Sequence, residues 1–196
     1  MQLIDLVEKR RFVGREFLLW LWFESEIFEG EQTTGDLGSF ALWLEKQIIL
    51  SVLKEKSRFS GKAPSATPEA REGLQLGKLP ETAYLRLSRG EEDYGFTLKA
   101  DTLAFSAVTV PSILRDEKHE QFYERMRLVE ELEALIESLY GDFLRLRLGA
   151  AWNSVVMPAM TEWVHGREVD VDGYRAGRTA ALSGKKKKKG AAEAAE

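Results

Sequence analysis

The residue types that most often carry chemistry in proteins are sparse in this chain. Its 196 residues include no cysteine and only two histidines, His119 and His165. His119 and Glu120 begin the zinc-protease pattern HExxH, but position 123, where the second histidine would stand, is Tyr123. We therefore expect no two-histidine metal site at helical spacing. Without cysteine, a disulfide framework, a thiolate metal site and a cysteine nucleophile are all excluded.

Three other patterns of catalytic or metal-binding sites are incomplete. Gly30 and Gly35 have the spacing of a phosphate loop, but Asp36 and Leu37 follow in place of lysine and serine or threonine. No serine stands in a Gly-x-Ser-x-Gly elbow. The acidic run from Glu130 to Glu137 has the ligand type for Mg²⁺, but a solvated helix face explains it better. None of these patterns therefore identifies a catalytic or metal-binding site, and an unknown enzyme stays a third possibility after the two binding functions given below.

Two clusters of basic residues remain as candidates for binding phosphate groups. The first places four cations within seven residues, beside aromatic residues that we expect to be buried, and the second is a run of five lysines near the C-terminus. Each has a plainer explanation, because the first has acidic neighbours to pair with and the second serves solubility. The candidate nucleic-acid-binding residues are Lys9, Arg10, Arg11, Arg15, Lys185, Lys186, Lys187, Lys188 and Lys189.

The net charge argues against a general polyanion-binding surface. The formal charge is −4, and without the last fourteen residues 23 basic and 30 acidic residues leave −7. Binding to nucleic acid must therefore come from local patches or from the tail. The sequence also lacks a recognition-helix signature and the aromatic–basic interleaving that stacks single-stranded bases.

The apolar pattern predicts a buried helix near the N-terminus, although a short buried strand remains an alternative. Seven consecutive apolar residues run from Phe17 to Phe23, too few for a membrane span. We expect a bend at Gly14, burial of Trp20 and Trp22, and a polar loop over residues 30–39.

Period-two alternation predicts strands farther along the chain. One spans Phe40 to Leu53, with Lys46 as the exception, and three form an antiparallel meander between Leu85 and Val110. Residues 54–66 are predicted to be a loop. A short helix follows, with Thr67 as its N-cap and Pro68 in its first turn.

Helical periodicity returns from Asp116 to Leu148 and again from Ala150 to Val164, where Pro158 predicts a bend. The long helix carries more apolar surface than one sheet face covers, so we expect a homo-oligomer. The predicted fold class is α+β, with an antiparallel sheet, a buried N-terminal helix and long C-terminal helices packed on one face. One domain over residues 1–166 should precede a polar, largely disordered, lysine-rich tail over 167–196.

Several segments, in order, resemble the RdgC-like recombination-associated proteins of bacteria. The most specific are Phe12–Glu26 (FVGREFLLWLWFESE) and Phe96–Leu103 (FTLKADTL). Weaker matches are ALWLE from Ala41, LRL from Leu85, FYERM from Phe122 and LRL from Leu146. The resemblance covers about residues 10–165 and corresponds to the later part of longer family members.

The resemblance implies a cytoplasmic, dimeric DNA binder without catalytic activity or cofactor, which restrains a recombinase. No DNA-contacting residue of the family maps onto this sequence, so none is carried over. We predict a non-enzymatic accessory protein of recombination or replication that binds double-stranded DNA without sequence preference, and that has a recombination protein as a further partner. The alternative is a dimeric protein–protein interaction module that does not bind DNA. For either function we expect a cytoplasmic protein, nucleoid-associated if it binds DNA, with no contact to a membrane.

Overall fold

The computed structural model describes residues 3–34, 38–114 and 117–183, with side chains from residue 13 onward except at Thr34. The chain forms two compact units, which divide between Ser138 and Leu139. The first unit contains a six-stranded antiparallel sheet, and the described residues include five α-helices. This architecture confirms the α+β class.

The sheet is built around one long central strand. The strands are β1 (Glu31–Thr34), β2 (Gly38–Val52), β3 (Glu55–Gly61), β4 (Leu79–Arg89), β5 (Glu92–Lys99) and β6 (Ala104–Thr109). One edge of β2 pairs first with β1 and then with β3, and its other edge pairs with β4. The sheet continues through β5 to β6, so the predicted meander is confirmed.

The exception at Lys46 marks a bulge in β2. The pairing of β2 with β4 shifts register between Glu45 and Ile48, and Lys46 has a φ of 55°. Leu44 and Ile48 are buried on either side of it, whereas Lys46 is exposed. A positive φ costs a residue with a β-carbon some strain, and here it turns the lysine away from the core at a position where alternation would bury it.

Parts of both predicted polar loops beside β2 are strands, which corrects two expectations. β1 pairs with Ser39, Phe40 and their neighbours, and β3 pairs with β2 from Lys46 to Val52. Most β3 side chains are exposed, because this edge strand has little apolar surface to bury. Its sequence pattern is therefore typical of a loop, although its backbone forms hydrogen bonds with β2.

The N-terminal helix is a single helix, α1 (Leu3–Ile27), and it lies against β2 and β4. Trp20 and Trp22 are 0% exposed, which confirms the predicted core and the helical interpretation. The expectation that a second helix begins after Gly14 is wrong, since the helix continues through this residue. A β-carbon at this position would lie 1.8 Å from the carbonyl oxygen of Ala100, so glycine here allows close approach of helix and sheet.

The two helices that follow in the first unit agree with the sequence pattern. α2 (Pro68–Gln75) begins as predicted, with the Thr67 hydroxyl accepting a hydrogen bond from the amide of Ala70. α3 (Lys118–Leu148) has 31 residues, and its apolar seam is buried at Leu128, Leu132 and Leu135. The start of that seam is solvent-exposed.

The second unit contains the end of α3 and two further helices. Phe143 and Trp152 meet edge to face with ring centroids 5.6 Å apart. A π-helical stretch (Trp152–Val156) leads into α4 (Met157–Val164), where a bend at Pro158 was predicted.

α5 (Val171–Ser183) was not predicted, and it corrects the expectation of a largely disordered segment over these 13 residues. Asp170 accepts a hydrogen bond from the amide of Gly173, and Tyr174 is buried. The low apolar content of this segment hid its helical periodicity. The predicted disorder after Ser183 concerns residues outside those that the structure describes.

Candidate nucleic-acid interface

The predicted basic residues do not form one described surface. Lys9, Arg10 and Arg11 lie on α1, in its part without described side chains, and the five lysines Lys185 to Lys189 lie outside the described residues. Of the nine candidates, only Arg15 has a described side chain.

Arg15 belongs to an ion-pair cluster that joins α1 to the sheet. Its Nε lies 3.2 Å from the Asp101 carboxylate, and its guanidinium lies 4.0 Å from Glu81, which Lys56 also contacts. Burial raises the pKa of Glu81, but hydrogen bonds from Lys56 and Ser51 and the charges of Lys56 and Arg15 bring it below its ordinary value. Arg15 is only about one-fifth exposed. Its interactions with two carboxylates give it a structural role, and its part in phosphate binding stays a prediction.

A different set of cations lies on the sheet face opposite the core, which we call the outer face. Arg58, Ile49, Thr82 and Lys99 form one cross-strand row over β3, β2, β4 and β5. The two cations at its ends are exposed. Three strand spacings separate them, roughly 14 Å at about 4.8 Å each. The Arg58 guanidinium donates to the Gln47 amide oxygen at 2.8 Å, an uncharged partner.

Lys46 joins this face because of the bulge. Its Nζ donates to the Tyr84 hydroxyl at 2.7 Å and lies 4.0 Å from the centre of the same ring. Tyr84 in turn covers Gly95, where a β-carbon would lie 2.1 Å from the tyrosine oxygen. The absent side chain at Gly95 allows the tyrosine to lie over β5, where Lys46 meets it.

Trp43 and Arg86 form the next row of the outer face. They are direct partners in the β2–β4 register, and the guanidinium carbon lies 5.6 Å from the indole centre. Arg86 also lies 3.6 Å from the Glu45 carboxylate and 3.1 Å from that of Asp93. The hydrogen bond with Asp93 is the main reason that the pKa of Arg86 is raised above its ordinary value. The charge of Arg86 is thus matched locally, unlike those of Arg58 and Lys46.

From the row of Ile49 to the row of Trp43, cations outnumber carboxylates. The cations are Lys46, Arg58, Arg86 and Lys99, and the carboxylate is Glu45; Asp93 and Glu31 lie one row beyond. This part of the protein is locally positive although the whole chain carries −4. The sequence shows no aromatic–basic interleaving, but strand pairing brings Lys46 to Tyr84 and Arg86 to Trp43.

Sequence reasoning missed this face for two reasons. Arg58 stands in a segment predicted to be a loop, and Lys46 counted as an exception to a strand. Alternation alone places Arg86 opposite the core, so that signal was present. The charge excess appears only when four strands are placed side by side.

The comparisons with known proteins give no family. No protein-family model matches the chain, and no curated protein matches it significantly. Among the described residues, no group of three or more histidine, aspartate or glutamate side chains is arranged to hold a metal ion. None of the described helices is long and apolar enough to cross a membrane.

Proposed function

We propose that this protein is a non-enzymatic, nucleic-acid-associated accessory protein of recombination or replication, which binds the phosphate backbone without sequence preference. The observation that carries the proposal is the set of exposed cations on the outer face, Lys46, Arg58 and Lys99. The resemblance to RdgC-like proteins supports the biological setting, whereas the outer face supports the mode of binding.

The outer face suits phosphates better than base edges. Arg58 and Lys99 are separated by roughly 14 Å, about the rise of four nucleotides in one strand of a duplex. A sheet face has no protruding helix to enter the major groove, so it contacts the backbone and reads little sequence. The tail lysines add charge without a fixed geometry.

The test is the double variant R58A/K99A, whose side chains pair with no carboxylate among the described residues. Loss of two phosphate contacts should lower the magnitude of the log–log salt slope of duplex binding by about 1.8. The matched control is K118A/R125A, which removes two exposed cations from α3. Fluorescence anisotropy with a labelled duplex at several salt concentrations measures both. If both double variants lowered the salt slope equally, the outer face would contribute no more to duplex binding than the exposed cations of α3.

A second candidate function is a dimeric protein–protein interaction module, the alternative that the sequence left open. The start of α3 favours it, because Phe122 and Tyr123 are each 60% exposed and Met126 is 45% exposed. Apolar side chains exposed together on one helix are typical of interaction surfaces. Sedimentation of the variant F122E/M126E tests it. If the native protein is a dimer through this patch, the variant should be a 22 kDa monomer at micromolar concentration.

A further inference from the structure

A groove in the first unit, apart from the rows of cations, combines an acidic side with an apolar side. Its volume is about 600 Å³, which is within the usual range for ligand sites. Three segments form it: the β4–β5 turn with Glu91 and Glu92, the chain after β6 from Thr109 to Leu114, and the first turns of α3. It shares Asp93 and Thr109 with the outer face, where Asp93 contacts Arg86 and Thr109 is the register partner of Gly95.

The apolar side comes mostly from the chain after β6. Val110, Pro111, Ile113 and Leu114 line the groove, and Leu128 of α3 contributes a buried side chain. Leu114 is 93% exposed. The groove is therefore open to solvent along this side, so that an extended or helical segment of another protein has room to lie along it.

The acidic side carries negative charge that the neighbouring cation does not balance. Arg127 is held by two carboxylates of its own helix, with a guanidinium nitrogen 2.6 Å from Glu124 and a second contact to Glu131. The charge of Arg127 also interacts with that of Glu92, so one guanidinium serves three carboxylates, and Glu91 has no cation partner among the described residues. The nearest polar contact to Glu92 is the Tyr94 hydroxyl at 3.3 Å.

The pKa of Tyr94 is affected by the same negative charges. Burial, followed by the charges of Glu92 and Glu131, raises the pKa of its hydroxyl to about 12. A positive charge brought into the groove would thus meet more carboxylates than cations, beside a row of apolar side chains.

We propose that this groove binds a basic, amphipathic peptide segment of a partner protein, with lysine or arginine side chains toward Glu91 and Glu92 and apolar side chains against Val110, Ile113 and Leu114. The charge complementarity favours this occupant over an anionic or purely apolar one. The site does not depend on nucleic-acid binding, because Lys46, Arg58 and Lys99, the cations proposed to bind phosphate, do not line it.

The experiment uses the full chain and a labelled ten-residue peptide of alternating leucine and lysine pairs. The variant E91K should weaken binding by about five- to tenfold, since it turns one attraction into a repulsion. The matched control E130K makes the same charge change on an exposed position of α3 that does not line the groove, and it should change affinity less than about twofold. A peptide with serine in place of leucine should bind more weakly than the original.

Three results would overturn the proposal. They are equal weakening by E91K and E130K, equal binding of the serine peptide, and no binding of the original peptide at 100 µM. Circular dichroism of both variants confirms that they are folded before the affinities are compared.

Discussion

At the scale of single residues, Gly14 allows the backbone of α1 to lie close to Ala100, just after the end of β5. The aromatic run of α1 is visible in the sequence, and its burial follows from composition alone. The role of Gly14 does not, because it depends on a carbonyl oxygen at Ala100, 86 positions away along the chain. A glycine in a helix predicts a bend when only its own helix is considered.

Two glycines in helices give a matched pair of predictions. Gly14→Ala should destabilise the protein by about 1–3 kcal/mol or more, because its methyl group overlaps the Ala100 backbone. Gly141→Ala, in α3 with nothing within 4 Å of the new methyl group, should stabilise it by about 0.5–1 kcal/mol. Urea denaturation of both variants measures the difference. Stabilisation by both changes would mean that α1 does not approach the sheet at Gly14.

Removal of either core tryptophan should be costly. Trp20→Ala and Trp22→Ala should each cost about 3–5 kcal/mol of unfolding free energy, since both are fully buried. The Trp22 indole also donates to Glu26 at 2.7 Å, a contact that its variant loses. Leu76→Ala, at an exposed position, is the control and should stay within about 0.5 kcal/mol of the native protein. Native-like stability of the tryptophan variants would contradict the buried helix.

At the scale of elements, the sequence predicts those that have an apolar face and misses those that do not. β2, β4 and β5 alternate clearly because one of their faces is buried. β3 and α5 have few apolar residues, so apolar periodicity does not reveal them. β3 is held by pairing with β2, and α5 begins at a cap formed by Asp170. The same limit applies to the outer face, whose charge excess arises from strand pairing.

The contact between α3 and β5 predicts a specific dependence on pH. The Tyr94 hydroxyl lies 3.5 Å from the Glu131 carboxylate, and its pKa is raised to about 12 in the folded protein. The unfolded chain loses this proton near pH 10. The folded state therefore holds the proton more strongly, and its contribution to stability is present below pH 10 and is lost as the pH rises to 12.

The variant Tyr94→Phe has no proton to lose at this position. Between pH 9 and pH 11.5, its unfolding free energy should fall less steeply than that of the native protein. Chemical denaturation across this range compares the two slopes. Parallel slopes would show that Tyr94 titrates in the fold as it does in water.

At the scale of the whole molecule, the proposed function depends more on where the charges lie than on the net charge. The chain carries −4, yet the outer face gathers four cations and the groove has more carboxylates than cations. The sequence predicted that any nucleic-acid binding would come from local patches. The predicted patches lie on α1 and in the tail, because their basic residues are neighbours in the sequence. The cations of the outer face become neighbours only after folding.

The most direct test of the proposed function compares the intact chain with a chain that ends at Ser183, by fluorescence anisotropy with a labelled DNA duplex from 50 to 200 mM salt. Loss of five lysines should reduce the magnitude of the logarithmic salt slope by about 4 to 5, and three exposed cations on the outer face should leave a residual slope of about 3. The shortened chain should therefore still bind, more weakly and with less dependence on salt. Absence of binding by the intact chain at 50 mM salt, or complete loss of binding on shortening, would contradict a nucleic-acid interface on the sheet.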